Sequence, residues 1–282
     1  MEEYIKKAKT LLEALPYIQE FYSKTFVIKF GGSIAASNEL KENFVMDIIL
    51  LKLIGINIVV VHGGGKDIDN LLTRLGIKSN YHNGFRLTDA GTMEVVEMVL
   101  SGKINKDLVA LIGKFGGKAC GISGKDGNLI IAERIKNEYV DLGSVGIVKK
   151  INKEILETLD KSFIPVIAPV SMDESGITLN INADVAASAI ASELKAEKLI
   201  MLSDQDGLLN GEGKLIESAK EKDIEKMLKN GIIYGGMIPK VNSCINAVKN
   251  GVKKVHIING SVPHAVLLEI FTKKGIGTQI TL

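Results

Sequence analysis

A lysine and two glycines end an apolar run near the start of the chain. The run Phe26–Phe30 predicts a buried strand that contains Lys29, and Gly31 and Gly32 follow it directly. A buried ammonium is costly unless an anion meets it, and glycine lets a ligand approach the backbone. Ligands of open α/β sheets bind beyond the carboxyl ends of strands. We interpret this stretch as a phosphate site; the alternative is a lysine that reaches solvent beside an ordinary turn.

Two further glycine clusters precede predicted helices. Gly63, Gly64 and Gly65 follow the apolar strand Asn57–Val61, and Gly235-Gly236 stands just before a helix with Lys240 near its start. Free N–H groups at a helix N-terminus favour anions. The sequence has neither a G-x-x-x-x-G-K-[ST] motif nor a G-x-G-x-x-G motif, so both standard nucleotide fingerprints are absent.

Arg86 stands just past the Asn83-Gly84 turn of a predicted hairpin over residues 81–87. Its position between a hairpin and a helix start suits a bidentate clamp on a carboxylate. The alternative is an ordinary surface charge.

Polar residues also cluster around two later strand ends. Asn180 and Asn182 alternate with apolar residues and should face one side, and Asp184 begins an alanine-rich helix. Asn182 or Asp184 could equally serve as a helix cap. Ser203 and Asp204 follow the strand Lys198–Leu202, where they suit contacts to a ribose or adenine, or simply form a turn.

The composition limits the classes of protein that fit. The 282 residues are 46% hydrophobic and 24% charged with a net charge of +2, which gives no support to a general nucleic-acid role. Two cysteines are too few for a disulfide framework, so an intracellular, cytoplasmic location is expected. The four histidines show no H-E-x-x-H, and we expect no dedicated metal cage. We find no secretory signal and no apolar run long enough to span a membrane.

Strands and helices alternate along most of the chain. We predict a three-layer αβα sandwich with a mainly parallel central sheet, preceded by an extra N-terminal helix. Residues 1–24 form that helix, which Pro16 should end or kink; residues 25–195 form one lobe and residues 196–282 a second. We predict a helix that starts at Thr88 or Asp89 and runs to about residue 100, and a separate helix over residues 104–115. The segment 118–148 predicts a meander or hairpin layer of short strands. Pro165 predicts either that the strand 164–168 lies at the edge of a sheet or that the proline occupies the start of the strand.

Two lysines from opposite lobes suit phosphoryl transfer. This reaction needs positioning and positive charge around the moving group more than covalent help. Lys29 and Lys240 would supply the charge, glycine N–H groups would cradle the oxygens, and Asp184 would hold both ammonium groups. Mg²⁺ could enter with the nucleotide and would need few protein ligands.

Five motifs together resemble the amino acid kinase family over essentially the whole chain. They are Lys29-Phe-Gly-Gly, His62-Gly-Gly-Gly, Asn83-Gly-Phe-Arg86, Asn180-Ile-Asn-Ala-Asp184 and Gly236-Met-Ile-Pro-Lys240. The two asparagine-containing motifs, Asn83-Gly-Phe-Arg86 and Asn180-Ile-Asn-Ala-Asp184, are similar to those of the branch that phosphorylates N-acetyl-L-glutamate. The resemblance implies transfer of the γ-phosphate of MgATP to the side-chain carboxylate, which is already anionic and requires no general base.

The resemblance also implies a role for each matching residue. Lys29, Lys240 and Asp184 would be catalytic. Gly31, Gly32 and Gly64 would bind the phosphoryl group, and Gly64, Gly65, Arg86, Asn180 and Asn182 would bind N-acetyl-L-glutamate. The nucleotide would contact Ser203, Asp204, Gly207, Tyr234, Gly235, Gly236 and Met237.

The N-terminal helix is similar to that of arginine-inhibited family members. There such helices interlace dimers into a hexamer, a trimer of dimers, and arginine binds beside them. The matching residues for L-arginine are Tyr17, Lys198, His256, Glu269, Gly275 and Gly277. Apart from the resemblance, the helix could pack on its own domain or exchange with another subunit, and Glu269 could be a solvated charge.

Two other functions remain as alternatives. One is a sister kinase for carbamate, aspartate, glutamate or UMP, and the other is a non-catalytic arginine sensor on the same fold. Arg86 with the two asparagines favours an acylated amino acid over the first, and two opposed lysines have no purpose in the second. The missing dinucleotide motif disfavours a nicotinamide-dependent dehydrogenase.

Overall fold

An eight-stranded sheet passes through the centre of the protein. Several of the candidate residues lie at the carboxyl ends of its central strands. The computed structural model describes residues 1–31, 37–82, 84–159 and 162–282. The strands are β1 (Thr25–Phe30), β2 (Asn57–His62), β3 (Tyr81–His82), β4 (Phe85–Arg86), β5 (Ala119–Ser123), β6 (Ile130–Arg134), β7 (Val145–Ile151), β8 (Ile164–Ala168), β9 (Val170–Met172), β10 (Thr178–Ile181), β11 (Lys198–Ser203), β12 (Ser218–Lys220), β13 (Lys254–Asn259) and β14 (Thr278–Thr281).

Helices connect these strands and cover the sheet. They are α1 (Glu2–Phe21), α2 (Asn38–Leu53), α3 (Gly65–Arg74), α4 (Ala90–Glu97), α5 (Asn105–Lys114), α6 (Glu154–Leu159), α7 (Ala183–Glu193), α8 (Glu221–Lys229), α9 (Met237–Lys249) and α10 (Ala265–Ile270), with a π-helical segment at Met98–Ile104 and a short 3₁₀ turn at Asp126–Asn128. None of the helices in the described ranges is long and apolar enough to cross a membrane.

The sheet order is β12-β14-β13-β11-β1-β2-β8-β5. Among the described strands of this sheet, β13 pairs with β14 in antiparallel fashion and the other neighbours are parallel. Residues alternate between the two faces of each strand. Thus Val27 and Val59 pack in one apolar core with α7 and α9, whereas Phe26 and Ile28 pack in a second core with α2 and α10. The predicted three-layer αβα sandwich is confirmed.

One predicted layer is wrong in part. The piece at residues 119–122 was expected within a meander, but β5 joins the main sheet as the parallel neighbour of β8. Instead, β6 and β7 close a small barrel with β9 and β10. Strand β5 is an edge strand of the main sheet and is only partly buried, and strand propensity alone does not specify the pairing partner. Pro165 lies at the second position of β8, an interior strand, so its strand-start alternative is correct and its edge alternative is wrong.

Two helix boundaries also differ from the prediction. Helix α1 continues past Pro16 to Phe21, because its last turn is packed against the protein: Tyr17 meets Phe271 edge-on, and Phe21 meets Phe26. The two helices expected near residues 89–100 and 104–115 are one continuous helical run, since the π-helical segment joins α4 to α5. Strand β12 and helix α8 lie in a stretch for which we predicted no helix or strand.

Thr278 fastens the loop after β11 to strand β14. Its buried hydroxyl oxygen accepts a hydrogen bond from the backbone N–H of Leu208 at 2.8 Å, and the hydroxyl donates to the carbonyl oxygen of Ile216 at 2.6 Å. A Cβ on Gly207 would lie 2.4 Å from this hydroxyl, so the loop approaches too closely for a larger residue. The Thr278 side chain therefore fastens the far end of the loop that begins with Ser203 and Asp204.

We predict that Thr278→Val lowers the free energy of unfolding by about 2 kcal/mol, because it leaves a buried N–H and a buried C=O unpaired. Chemical denaturation at neutral pH measures the change. Thr278→Ser is the matched control, since it keeps the hydroxyl and should recover most of the loss. Equal destabilisation by both variants would show that the methyl group, not the hydrogen bonds, is responsible.

Candidate active site

Two lysine side chains meet the same carboxylate between the sheet and two helix starts. Lys29 Nζ, on β1, lies 3.0 Å from Asp184 Oδ1, and Lys240 Nζ lies 3.1 Å from Asp184 Oδ2. Asp184 is in the first turn of α7 and Lys240 is in the first turn of α9. All three side chains are largely buried. The structure therefore brings together the three residues that the sequence predicted to be catalytic.

The charges of these three groups depend on one another. Burial alone would raise the pKa of Asp184, but the ammonium groups of Lys29 and Lys240 outweigh it and lower that pKa to about 2. Burial lowers the pKa of Lys29 from its ordinary value, against the opposing attraction of Asp184. Asp184 is therefore ionised at neutral pH and compensates part of the positive charge that the two lysines concentrate here.

Local capping and a helix–helix hydrogen bond place Asp184 and Lys240. Asn182 caps α7: its side-chain oxygen accepts from the backbone N–H groups of Asp184 at 2.8 Å and Val185 at 3.3 Å. The predicted cap is thus confirmed. The hydroxyl of Ser188 donates to the carbonyl oxygen of Ser243 at 2.8 Å and joins α7 to α9. We did not single out these two serines from the sequence, although each lies about one helical turn from a predicted catalytic residue.

The first two glycine turns lie side by side at the carboxyl ends of β1 and β2. The N–H of Gly63 donates to the carbonyl oxygen of Phe30 at 2.8 Å, and a Cβ on Gly31 would lie 3.4 Å from Lys29 Nζ. A Cβ on Gly64 would lie 2.2 Å from Ile104 Cδ1, so the π-helical segment packs closely against this glycine and a larger residue would displace that side chain. Gly32 lies outside the described residues.

A cavity of about 230 Å³ opens beside these turns. Its lining includes all the predicted acceptor-binding residues together with Lys29: Gly64, Gly65, Arg86, Asn180 and Asn182. Arg86 Nη2 donates to the carbonyl oxygen of Gly65 at 3.0 Å, and Asn180 Nδ2 donates to Thr88 Oγ1 at 3.3 Å. Cationic and amide groups therefore converge on a space that suits a small carboxylate.

The predicted nucleotide residues divide into two groups. Gly207, Tyr234 and Met237 line a second cavity of about 210 Å³ on the side of α9. Ser203, Asp204, Gly235 and Gly236 are not among its lining residues. Asp204 is nevertheless close enough to favour the charged form of Lys29, and Gly235 has the positive φ of 56° that favours glycine. Their contacts with a nucleotide stay a prediction.

The six residues predicted for arginine lie around the C-terminal end of α1. His256 Nδ1 is 2.5 Å from Glu269 Oε1, and Glu269 Oε2 accepts from the backbone N–H of Ile276 at 2.8 Å. The Lys198 ammonium is 5.2 Å from the centre of the Phe21 ring. Burial raises the pKa of Glu269, but hydrogen bonding and the charge of His256 outweigh it and lower that pKa overall. Glu269 is buried, so the alternative of a solvated charge is wrong.

Two glycines allow neighbouring atoms to approach closely in this region. A Cβ on Gly275 would lie 2.6 Å from Glu269 Oε2, and one on Gly277 would lie 2.2 Å from the carbonyl oxygen of Ile257. The Tyr17 ring contacts the Phe271 ring edge-on and so holds the C-terminal end of α1 against this region. An anionic carboxylate buried among these groups suits a cationic ligand, and ligand binding here stays a prediction.

His62 and Asn105 form a buried polar pair behind the glycine turn. The His62 Nδ1–H donates to the carbonyl oxygen of Gly63 at 3.1 Å, so Nε2 can accept from Asn105 Nδ2 at 3.2 Å. The same amide group also contacts the carbonyl oxygens of Val166 at 2.9 Å and Ile122 at 3.3 Å. Asn105 therefore joins three strands, β2, β5 and β8, to the helical run, and no sequence motif had identified it.

Comparison with known proteins identifies the family. The fold and the paired lysines define an α/β phosphotransferase, and residues 24–259 match the model of the amino acid kinase family. The chain is 52% identical to the acetylglutamate kinase of Desulfotalea psychrophila, over 99% of this chain and 98% of that one. It is also 52% identical to the acetylglutamate kinase of Aquifex aeolicus over the full length of both chains. The chain belongs to the amino acid kinase family.

Solved structures agree with this assignment. The N-acetylglutamate synthase of Neisseria gonorrhoeae, complexed with coenzyme A and N-acetyl-glutamate, superposes with a TM-score of 0.88 at 27% identity. The match covers 98% of this chain and 63% of the synthase. The carbamate kinase of Giardia lamblia bound to AMP-PNP has a TM-score of 0.66 at 17% identity over 92% of this chain and 98% of the other, which shows a shared fold.

The buried His62 predicts a specific pH dependence of stability. Burial lowers its pKa from 6.5 to about 4. The unfolded chain therefore takes up a proton at a higher pH than the folded protein, and stability falls as the pH drops from 6.5 toward 4. The full effect is roughly 3 kcal/mol. We expect the free-energy difference between wild type and His62→Gln, measured by denaturation at pH 7 and at pH 4, to shrink by that amount.

Other groups titrate in both proteins over the same range, so the comparison isolates His62. Parallel stability curves for the two proteins would contradict the assignment of a low pKa to this side chain.

Proposed function

We propose that the protein transfers the γ-phosphate of MgATP to the side-chain carboxylate of N-acetyl-L-glutamate and forms an acyl phosphate. The principal support is the pair of buried lysines on Asp184, with Lys29 lining one cavity and α9 carrying Lys240 beside another. The relatives named acetylglutamate kinase support the same reaction along the whole chain. Residues 25–195 bind the acceptor and residues 196–282 bind the nucleotide in this proposal.

The lysines act on the charge of the moving group. The transferring phosphoryl group spreads negative charge over its oxygens, and two fixed ammonium groups stabilise that charge without reorganising. Asp184 keeps both lysines in place without taking up their protons. The backbone N–H groups of Gly31, Gly32 and Gly64 donate to the phosphoryl oxygens. The acceptor carboxylate is anionic at neutral pH and attacks without a general base.

The acceptor and the nucleotide approach from the two cavities. Arg86 binds the α-carboxylate of N-acetyl-L-glutamate, while Asn180, Gly64 and Gly65 bind the rest of the molecule. Asn182 contributes through its amide N–H₂, because its oxygen already caps α7. ATP contacts the loop at Ser203–Gly207 and the segment Tyr234–Met237. Mg²⁺ would be carried by the ATP phosphates, would need few ligands from the protein, and would supply further positive charge beside the phosphates.

Lysine removal tests the proposed chemistry. We expect Lys240→Ala to lower kcat by roughly 10²–10³-fold, by analogy with the loss of one oxyanion-hole donor. The measurement is ADP release from MgATP with N-acetyl-L-glutamate, compared with release without acceptor. Lys249→Ala, at the other end of the same helix, is the matched control and should retain full activity. Wild-type protein that releases no ADP with this acceptor, yet binds arginine, would instead indicate a sensor.

We also propose that L-arginine inhibits the enzyme from the region around Glu269, and that α1 assembles dimers into a hexamer. Helix α1 exposes large apolar residues before Pro16, namely Tyr4, Ile5, Leu11, Leu12 and Leu15. A second copy of the helix is the partner that such a face fits. The C-terminal end of α1 packs beside Lys198 and Phe271, so assembly and arginine binding would share one helix.

Deletion of residues 1–16 tests this link between assembly and inhibition. We expect dimers in analytical ultracentrifugation, a weaker inhibition by arginine and an unchanged kcat, because α1 packs near the starts of β1 and β11 whereas Asp184 lies near the end of β1. Leu11→Asp is a second variant that charges the exposed face while the helix stays intact, and it should give the same result. A truncated protein of unchanged size and arginine sensitivity would contradict both proposals.

A further inference from the structure

Asp69, on helix α3, is a hub for the hairpin formed by β3 and β4. Its carboxylate forms an ion pair with Arg86 Nη1 and accepts a hydrogen bond from the Tyr81 hydroxyl at 3.1 Å. Arg86 Nη1 also donates to Ser79 Oγ. No motif of the sequence included Asp69 or Ser79. Both ends of the hairpin are thereby attached to the helix that begins at the glycine turn.

These contacts fix the Arg86 guanidinium in one orientation. A guanidinium has five N–H groups in a planar fork. Among the described residues, Asp69 and Ser79 engage Nη1, and the carbonyl oxygen of Gly65 engages Nη2. The Tyr81 ring also covers the guanidinium, with Arg86 Cζ 4.8 Å from its centre. These three acceptors leave two N–H groups of the guanidinium free of these contacts. A bidentate contact with a carboxylate uses two N–H groups.

The hub differs in character from the acceptor cavity itself. Arg86 is buried and lines that cavity, whereas the Asp69 side chain is 39% exposed and is not among the lining residues. Burial of Asp69 alone would raise its pKa, but hydrogen bonds from Arg86 and Ser79 outweigh this and lower it. Asp69 is therefore anionic at neutral pH and acts on a bound molecule through Arg86.

We propose that Asp69 is a positioning residue that sets selectivity for acceptors with an α-carboxylate, because it orients Arg86 toward that group. This inference rests on the proposed function. Without Asp69, Arg86 keeps its charge but loses its fixed orientation. The affinity then falls for acceptors that need a bidentate contact with Arg86. An acceptor without an α-carboxylate does not use that contact and should be little affected.

The test compares two acceptors in three proteins. The acceptors are N-acetyl-L-glutamate and 4-acetamidobutyrate, which is the same molecule without its α-carboxylate. The proteins are wild type, Asp69→Asn and the matched control Asp67→Asn. Asp67 lies on the same helix but lines a different cavity with Lys103 and Asp107.

We expect Asp69→Asn to lower kcat/KM for N-acetyl-L-glutamate by about tenfold, chiefly through KM, which corresponds to one lost charged hydrogen bond. The value for 4-acetamidobutyrate and the KM for ATP should stay within about twofold, the range of an ordinary surface substitution. If 4-acetamidobutyrate is not turned over, its competitive inhibition constant provides the same ratio. Asp67→Asn should resemble wild type with both acceptors.

Three results would overturn the inference. One is an equal loss with both acceptors, which would mean that Asp69 only supports the fold. A second is no loss with either. If Asp69→Asn does not fold, Tyr81→Phe takes its place, because it removes one hydrogen bond to the same carboxylate. The third result would be a Tyr81→Phe protein whose ratio of kcat/KM for the two acceptors equals that of wild type. Absence of acceptor-dependent ADP release in wild type and Asp67→Asn alike would be a different failure, that of the proposed function, and this inference would fall with it.

Discussion

The burial of two ammonium groups against one carboxylate is the constraint on which the rest of the structure depends. Lys29 and Lys240 cannot both be buried and charged without Asp184, since each would meet the desolvation cost and the repulsion of the other. The carboxylate must reach both lysines at once, with one oxygen for each. This requires a strand end and two helix starts to converge within a few ångströms, and the parallel order of β1 and β11 with α7 and α9 on one face provides that convergence.

Strong local patterns were predictable, and contacts set by tertiary packing were not. Lys29 lies near the end of an apolar strand, and Asp184 and Lys240 lie in the first turns of helices. The glycine turns follow strands or precede helices, so each of these positions could be predicted from the sequence. Asn105 and Asp69 belong to no motif: their roles arise from strands and a hairpin that lie far away in the chain. The π-helical segment Met98–Ile104, which packs against Gly64, was likewise not predicted, because helical periodicity does not distinguish a π-helical turn from an α-helical one.

The glycine turn of β2 is positioned from three directions. Lys29 and Gly31 adjoin it from β1, His62 and Asn105 hold it from behind, and the π-helical segment limits the space at Gly64. A turn held by several independent contacts loses little further entropy when a ligand binds. The acceptor side of the cavity is therefore largely formed in advance, and Arg86, which is fixed by Asp69 and Ser79, completes it.

The proposed arginine region and the candidate active site lie at opposite ends of the same strands. Strand β11 begins with Lys198 and ends with Ser203, and β1 begins beside Lys198 and ends near Lys29. Six residues of strand span roughly 17 Å, so a ligand at one end cannot touch the other. A strand in the middle of a sheet moves as a unit, because its neighbours bond to both of its edges. Coupling between the two regions would then require a shift of β11 and β13 relative to α1, a discrete displacement of packed elements and not a direct contact.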